Sequence, residues 1–371
     1  MKRNFINGLF LVLSLALVIS CSGKSEKRVE KTSEEVSDSR PSRKLVEVLS
    51  PADNSKFSLK DRFTLTIAPA AGNPQIDSIQ MWYAGKRLKT TFSVPYSVQI
   101  DGLTARTPGE RAIKVIAYSK EFKPQSITLT VSVVSDIVPE IFRYRVIKSF
   151  PHDPRAFTQG LVWEDGYLYE GTGQPGESWL RKVEPETGKV ISQVNIDPQL
   201  FGEGIAIMGD RIYQLTWTSK VGFVYDKKTF AQINKVYYQT EGWGLTSLGD
   251  KLIMSDGTNT IWFLDQDFNV VSSIEVWDNK GKVNNLNELE MVEGELWANI
   301  WQTDRIARID ITSGMVLGYI DLDNLLPRNQ RKGDEDVLNG IAYDAAGKHI
   351  YVTGKWWPRL FEIEVIKKGR N

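Results

Sequence analysis

The chain is poor in sulfur and imidazole, with one cysteine and two histidines in 371 residues. A single cysteine excludes an internal disulfide, so stability has to come from packing. Cys21, His152 and His349 form no cluster with zinc-ligand spacing, and neither a catalytic zinc nor any other cofactor is expected. Ser-His-Asp catalysis fails for a similar reason, because His349 is expected in a hairpin turn on the far face and His152 in an entry loop with no nucleophile motif beside it. Charge of one sign is also missing. The 46 basic side chains balance 46 acidic ones, which argues against a nucleic-acid partner. No apolar run reads as a spanning helix: Gly8 to Ser20, behind Lys2 and Arg3, is an export signal. A hydrophobic share of 41% and a charged share of 25% are those of a soluble globular protein, and the length suggests two folded units.

The signal ends V-I-S-C at Cys21, which resembles the lipobox of bacterial lipoproteins. That resemblance implies a lipidated Cys21 as the first mature residue and a membrane contact through the lipid. It places the protein in the bacterial cell envelope, at the outer membrane facing the periplasm or the surface. Ser22 is compatible with outer-membrane sorting. Residues 22–43 hold two valines and no other hydrophobic side chain, so they read as a solvated tether.

Residues 44–136 carry short alternating segments such as RFTLTIAP, SIQMWYAG and RAIKVIAYS, separated by Pro, Gly, Asp and Asn. Six or seven strands at this spacing predict a small immunoglobulin-like β-sandwich. Nothing in it gathers catalytic side chains, and a spacer or contact module is the expectation.

Residues 137–371 repeat. The segment TQGLVWEDGYLYEGTG (158–173) returns as GEGIAIMGDRIYQLTW, GWGLTSLGDKLIMSDG, LNELEMVEGELWANIW and LNGIAYDAAGKHIYVTGK. Each is a hairpin, and the first four are followed by two further strands, which makes four strands per copy. The fifth copy has only LFEIEVI after its hairpin, and FRYRVIKSF (142–150) can supply the missing strand. The expectation is an all-β chain whose larger part is a closed five-bladed β-propeller, without exposed sheet edges.

In a propeller the first strand of each blade lines the channel, so equivalent residues converge at its mouth. Those before the recurrent Gly-Leu or Gly-Ile pair are Gln159, Glu203, Trp243, Asn287 and Asn339, with Glu288 replacing the glycine in the fourth copy. Those ending the second strand are Gly173, Trp217, Gly257, Trp301 and Lys355. The indoles could instead wedge between blades. As a set, however, one carboxylate, one ammonium, three carboxamides and three indoles are an improbable packing solution, since large exposed indoles are uncommon. Glu203 is then the best proton carrier.

At these residues the sequence resembles the glutaminyl-peptide cyclotransferases of the plant and bacterial type. The words FTQGL, FGEGI, LTW, GWGL, SDGT, LNELE, ANIW, VLNGIAYD and TGKWWP carry the resemblance over residues 142–366. It implies an acyltransferase that cyclises an N-terminal glutamine of a peptide or protein to pyroglutamate, without metal, releasing ammonia. It implies Glu203 as acid-base group, with Gln159, Asn287 and Lys355 as polar groups and Phe157, Trp217, Trp243 and Trp301 as aromatic ones. Phe157 comes from the resemblance alone, and Asn339 from the repeat alone. A monomer is expected. The competing reading is a non-enzymatic, peptide- or saccharide-binding propeller lipoprotein. A saccharide lyase or hydrolase would want a second carboxylate, and of the two candidates Glu288 reads as backbone-facing and Glu290 shares its facing.

Overall fold

The computed structural model describes residues 38–367. Cys21, the signal and most of the tether lie outside them. Among the described residues the regular structure is β-strand, apart from two short 3₁₀ turns at Gly102–Ala105 and Arg328–Gln330. Residues from Pro41 onward form one compact unit.

The first part folds into two sheets. One holds the strands Val46–Ser50, Arg62–Pro69 and Ser97–Asp101. The other orders Ser55–Ser58, Gln125–Val134, Gly109–Tyr118, Ser78–Tyr83 and Lys86–Thr91. Alternation drives the packing: Ile79, Met81 and Tyr83 are buried against Leu65 and Val115 from the two sheets, while Gln80 and Trp82 turn outward. Eight strands are present, more than the six or seven expected. The additional ones are weak in the sequence for physical reasons. Ser55–Ser58 is four residues long and pairs in parallel with Gln125–Val134, and the edge strand KRLKTT buries little.

The repeated part forms three four-stranded sheets, over 158–195, 202–237 and 245–275, and one eight-stranded sheet. The eight-stranded sheet contains the fourth and fifth copies. Glu140–Pro151 pairs antiparallel with Arg359–Lys367, with Val146 opposite Ile363, and so completes the fifth copy from the front of the chain. Its first residues also pair in parallel with Val316–Asp321, Glu140 opposite Gly318, which stitches the fourth copy to the fifth. The Arg143–Asp321 pair at 2.6 Å reinforces that seam.

The first strands of the five copies, Thr158–Glu164, Gly202–Met208, Leu245–Leu248, Leu286–Val292 and Leu338–Asp344, neighbour one another in a closed cycle. Glycine makes this approach possible. A Cβ on Gly160 would lie 2.5 Å from the Ile205 nitrogen, and one on Gly204 2.5 Å from the Leu245 nitrogen. Between the sheets, apolar side chains interlock, as Tyr169 and Leu180 do with Ile205 and Phe223, each fully buried one contributing about 1.5–3 kcal/mol. The sandwich is seated on the third and fourth copies through Ser135 N–H to Asp278 O (3.2 Å), the Lys282–Glu110 pair (2.9 Å) and Met315, which packs on the sandwich core.

Candidate active site

The inner strands carry an irregularity at the same place. Pairing with the second strand slips between Thr158 and Gly160, Gly202 and Ile205, Leu286 and Leu289, and Leu338 and Ile341. A bulge re-aims the side chain of the extra residue. In the third copy regular pairing begins only at Leu245, after Trp243. Gln159, Glu203, Asn287 and Asn339 therefore all stand at bulges at one end of the ring.

That end holds a cavity of about 230 Å³, room for one side chain and the backbone around it. Its wall includes Gln159, Glu203, Asn287 and Lys355, together with Phe157, Trp217, Trp243 and Trp301. Residues from all five copies are thus brought together, as the repeat predicted. Asn339 is the exception. It is fully buried behind the wall, where its Nδ2 donates to Thr158 O (3.0 Å) and Gln159 Oε1 (3.3 Å). The bulge in the fifth copy turns this amide toward the neighbouring strand, so Asn339 supports Gln159 and does not face the cavity. Three wall residues escaped the sequence reading: Phe201, Gln174 and Asp336. For Phe201 a signal existed, since it precedes Glu203 by two residues, as Phe157 precedes Gln159. Gln174 and Asp336 come from irregular segments outside the aligned positions.

The aromatic wall is ordered edge to face. Phe157 meets Trp356 at 4.6 Å and Phe201 at 5.9 Å, and Phe201 meets Trp217 at 5.7 Å. Trp243 and Trp301 form a separate T-shaped pair at 5.6 Å. Such pairs add about 0.5–1.5 kcal/mol beyond burial. Two of the strand-end positions are glycine because rings lie on them: a Cβ at Gly173 would stand 2.3 Å from Phe201, and one at Gly257 2.6 Å from Trp243.

Glu203 is only 5% exposed. The Nε2 of Gln159 donates to its Oε1 at 3.3 Å, an orientation set by Asn339 holding the other end of the same amide. Burial pushes Glu203 well above the usual carboxylate range; the Lys355 ammonium opposes this and Glu241 adds to it. Burial lowers Lys355, against the pull of Glu203 and Asp336. Its Nζ lies 4.9 Å from the Phe157 ring centre. The Oδ1 of Asn287 is buried and has no hydrogen-bond partner among the described residues, which leaves an acceptor on the cavity wall.

The other candidate acids serve the fold. Glu288 accepts from Leu161 N (3.1 Å) and Ile341 N (2.9 Å), and Glu290 from Tyr343 N (3.0 Å). His152 is buried between Glu170 and the Trp357 carbonyl, and His349 pairs with Glu362. Among the described residues no three His, Cys, Asp or Glu side chains form a group able to hold a metal ion. A larger groove of about 560 Å³, lined by Trp297, Arg308 and His349 among others, contains none of the predicted residues.

The chain is also similar to known proteins. A curated glutaminyl-peptide cyclotransferase of Arabidopsis thaliana is 41% identical over 235 residues, 62% of this chain and 73% of the relative. The crystal structure of Myxococcus xanthus glutaminyl cyclase is similar with a TM-score of 0.59 and 35% identity, covering 62% of this chain and all of that one. The sequence profile described as Glutamine cyclotransferase matches residues 122–365, so the chain belongs to the glutamine cyclotransferase family.

Proposed function

We propose that the protein cyclises the N-terminal glutamine of peptides or proteins to pyroglutamate with release of ammonia, and that Glu203 carries the proton. The observation behind this reading is a desolvated carboxylate beside a carboxamide and a buried ammonium, in an indole-walled cavity that admits one side chain. The two relatives named above bear the same activity in their names.

The substrate's uncharged α-amine attacks its own Cδ. Ring closure needs only a folded conformer, and the aromatic wall restricts the side chain to such conformers. As the N–C bond forms, Glu203 takes a proton from the amine nitrogen. Its raised proton affinity makes it a stronger base than a solvated carboxylate. The carbonyl oxygen becomes an oxyanion, stabilised by the Lys355 ammonium with Asn287 or Gln159. Glu203 then returns its proton to the former amide nitrogen, the Cδ–N bond breaks, and ammonia leaves. Asn287 Oδ1, otherwise unpartnered, suits an N–H of the scissile carboxamide. Such a sequence needs no metal.

The closed cycle of five inner strands supports reading the repeated part as a five-bladed propeller, and the two facing sheets before it as an immunoglobulin-like module. We further propose lipidation at Cys21, with the protein held at the outer membrane of a bacterial envelope as a monomer.

Incubating the protein with a Gln-initiated peptide, with and without chelator, tests the reaction. Ammonia and a product lighter by one ammonia are expected in both cases. Absence of both products rejects the cyclase, and loss of activity with chelator rejects metal independence.

A further inference from the structure

Two residues before the bulge positions, the first and second copies carry Phe157 and Phe201, both on the cavity wall. The third copy carries Glu241 there. A carboxylate in an aromatic position needs partners, and it has them: Oε2 accepts from the indole Nε1 of Trp217 at 2.7 Å and from that of Trp243 at 2.9 Å. Both indoles form cavity wall. Trp243 continues edge-on to Trp301, and Trp217 edge-on to Phe201. One oxygen thus joins the two separate halves of the aromatic wall.

We propose that Glu241 is a positioning residue for the cyclisation, fixing both indoles around the substrate side chain. The inference rests on the function proposed above. Packing alone cannot hold Trp217, which is 41% exposed. An indole has a single N–H donor, and a charged acceptor shared by two such donors removes the rotational freedom of both rings at once.

The charge acts separately. Gln159 from the first copy donates to Glu203, the charges of Lys355 from the fifth copy and of Glu241 from the loop leading into the third reach it, and Glu203 in turn acts on the Tyr238 hydroxyl of the second. Tyr238, pushed up to about 12, stays neutral. Lys355 favours the ionised form of Glu203 and Glu241 disfavours it. Removing the Glu241 charge therefore moves the ionisation of Glu203, and the acid limb of kcat/KM with it, to lower pH.

The test measures ammonia release from a Gln-Ala-Ala peptide by the full chain and by Glu241→Ala, Glu241→Gln, and Glu241→Ala on a Trp217→Phe/Trp243→Phe background, whose rings lack the N–H. Glu241→Ala should lose at least about tenfold in kcat/KM, mainly through KM, the scale of a hydrogen bond to a charged group. Glu241→Gln keeps an oxygen acceptor, so it should recover most of KM while its acid limb shifts down. On the double-Phe background Glu241→Ala should change KM no further. Wild-type kinetics in Glu241→Ala, or an equal loss on the double-Phe background, overturns the positioning role; an unmoved acid limb in Glu241→Gln overturns the electrostatic one. Tryptophan emission, red-shifted in Glu241→Ala and restored in Glu241→Gln, reads the indoles without turnover. A wild-type protein that releases no ammonia would sink the cyclase reading, while an emission unchanged in Glu241→Ala would sink the clamp by itself.

Discussion

The inner ring holds buried carboxylates in two places, at the cavity and deeper along the strands, and the two behave differently although their burial is alike. Glu203 at the cavity and Glu288 and Glu290 in the channel are each under 9% exposed, and burial raises the proton affinity of all three. The partners differ. Glu288 bonds two fixed main-chain N–H groups, from the first and fifth copies, and so bridges strands that glycine has brought close. Glu203 has one long contact to a side-chain amide and otherwise faces space, with Lys355 within electrostatic reach. Burial and a raised proton affinity therefore do not identify a proton carrier. What separates the sites is whether the carboxylate's acceptor capacity is consumed by backbone or left open to a ligand.

Exchanging carboxylate for carboxamide at the cavity is the sharpest way to break that comparison. Glu203→Gln should lower kcat for pyroglutamate formation by about 10³-fold, within the range for general acid-base groups, with the melting temperature kept or slightly raised. In the channel the expectation reverses. Glu288→Ala leaves the N–H groups of Leu161 and Ile341 without their acceptor and should cost about 3 kcal/mol of unfolding free energy, with turnover per folded molecule retained. A Glu288 variant that folded normally but lost turnover would collapse the distinction. Lys355→Met keeps an unbranched side chain one atom shorter and removes its charge. It should lower kcat by roughly 100-fold, the scale of one oxyanion donor, and should raise the proton affinity of Glu203, moving the acid limb of kcat/KM to higher pH.

The ring and most of the cavity wall were legible because both write a local signal. The Gly-Leu or Gly-Ile pair marks where inner strands touch, and the residue before it marks the bulge, so Gln159, Glu203 and Asn287 could be aligned without any contact information. The same alignment misassigned Asn339, because a bulge sets where a residue stands and not which neighbour its side chain reaches. Phe201 was within reach of the pattern through its likeness to Phe157. Glu241 was not, since its partners are the indoles of Trp217 and Trp243 and the sequence does not say that these N–H groups converge. Parallel pairing of Glu140–Pro151 with Val316–Asp321 was equally hidden: alternation reveals that a segment is a strand, and this one has two neighbours, from the fourth and the fifth copy.

The smallest effect, per unit of change, is a slope in stability with pH that belongs to the channel. Glu290 rises from 4.5 to about 8 in the folded protein, chiefly through burial. A group whose folded value lies above its unfolded one contributes stability that is complete below the unfolded value and lost as pH rises toward the folded one. Between 4.5 and about 8 the unfolded chain has released this proton while the folded chain keeps it. Unfolding free energy should therefore fall across that window by roughly 1 kcal/mol per pH unit for one such group. Glu290→Gln cannot titrate, and its urea-unfolding free energies should show a flatter dependence than those of the wild type. Glu203→Gln also removes a raised carboxylate and should flatten the slope too, but only Glu203→Gln should lower turnover by about 10³-fold. If both variants kept the wild-type slope, these carboxyls would be releasing their protons at ordinary values within the fold, and Glu203 would lose the basicity that makes it the better base.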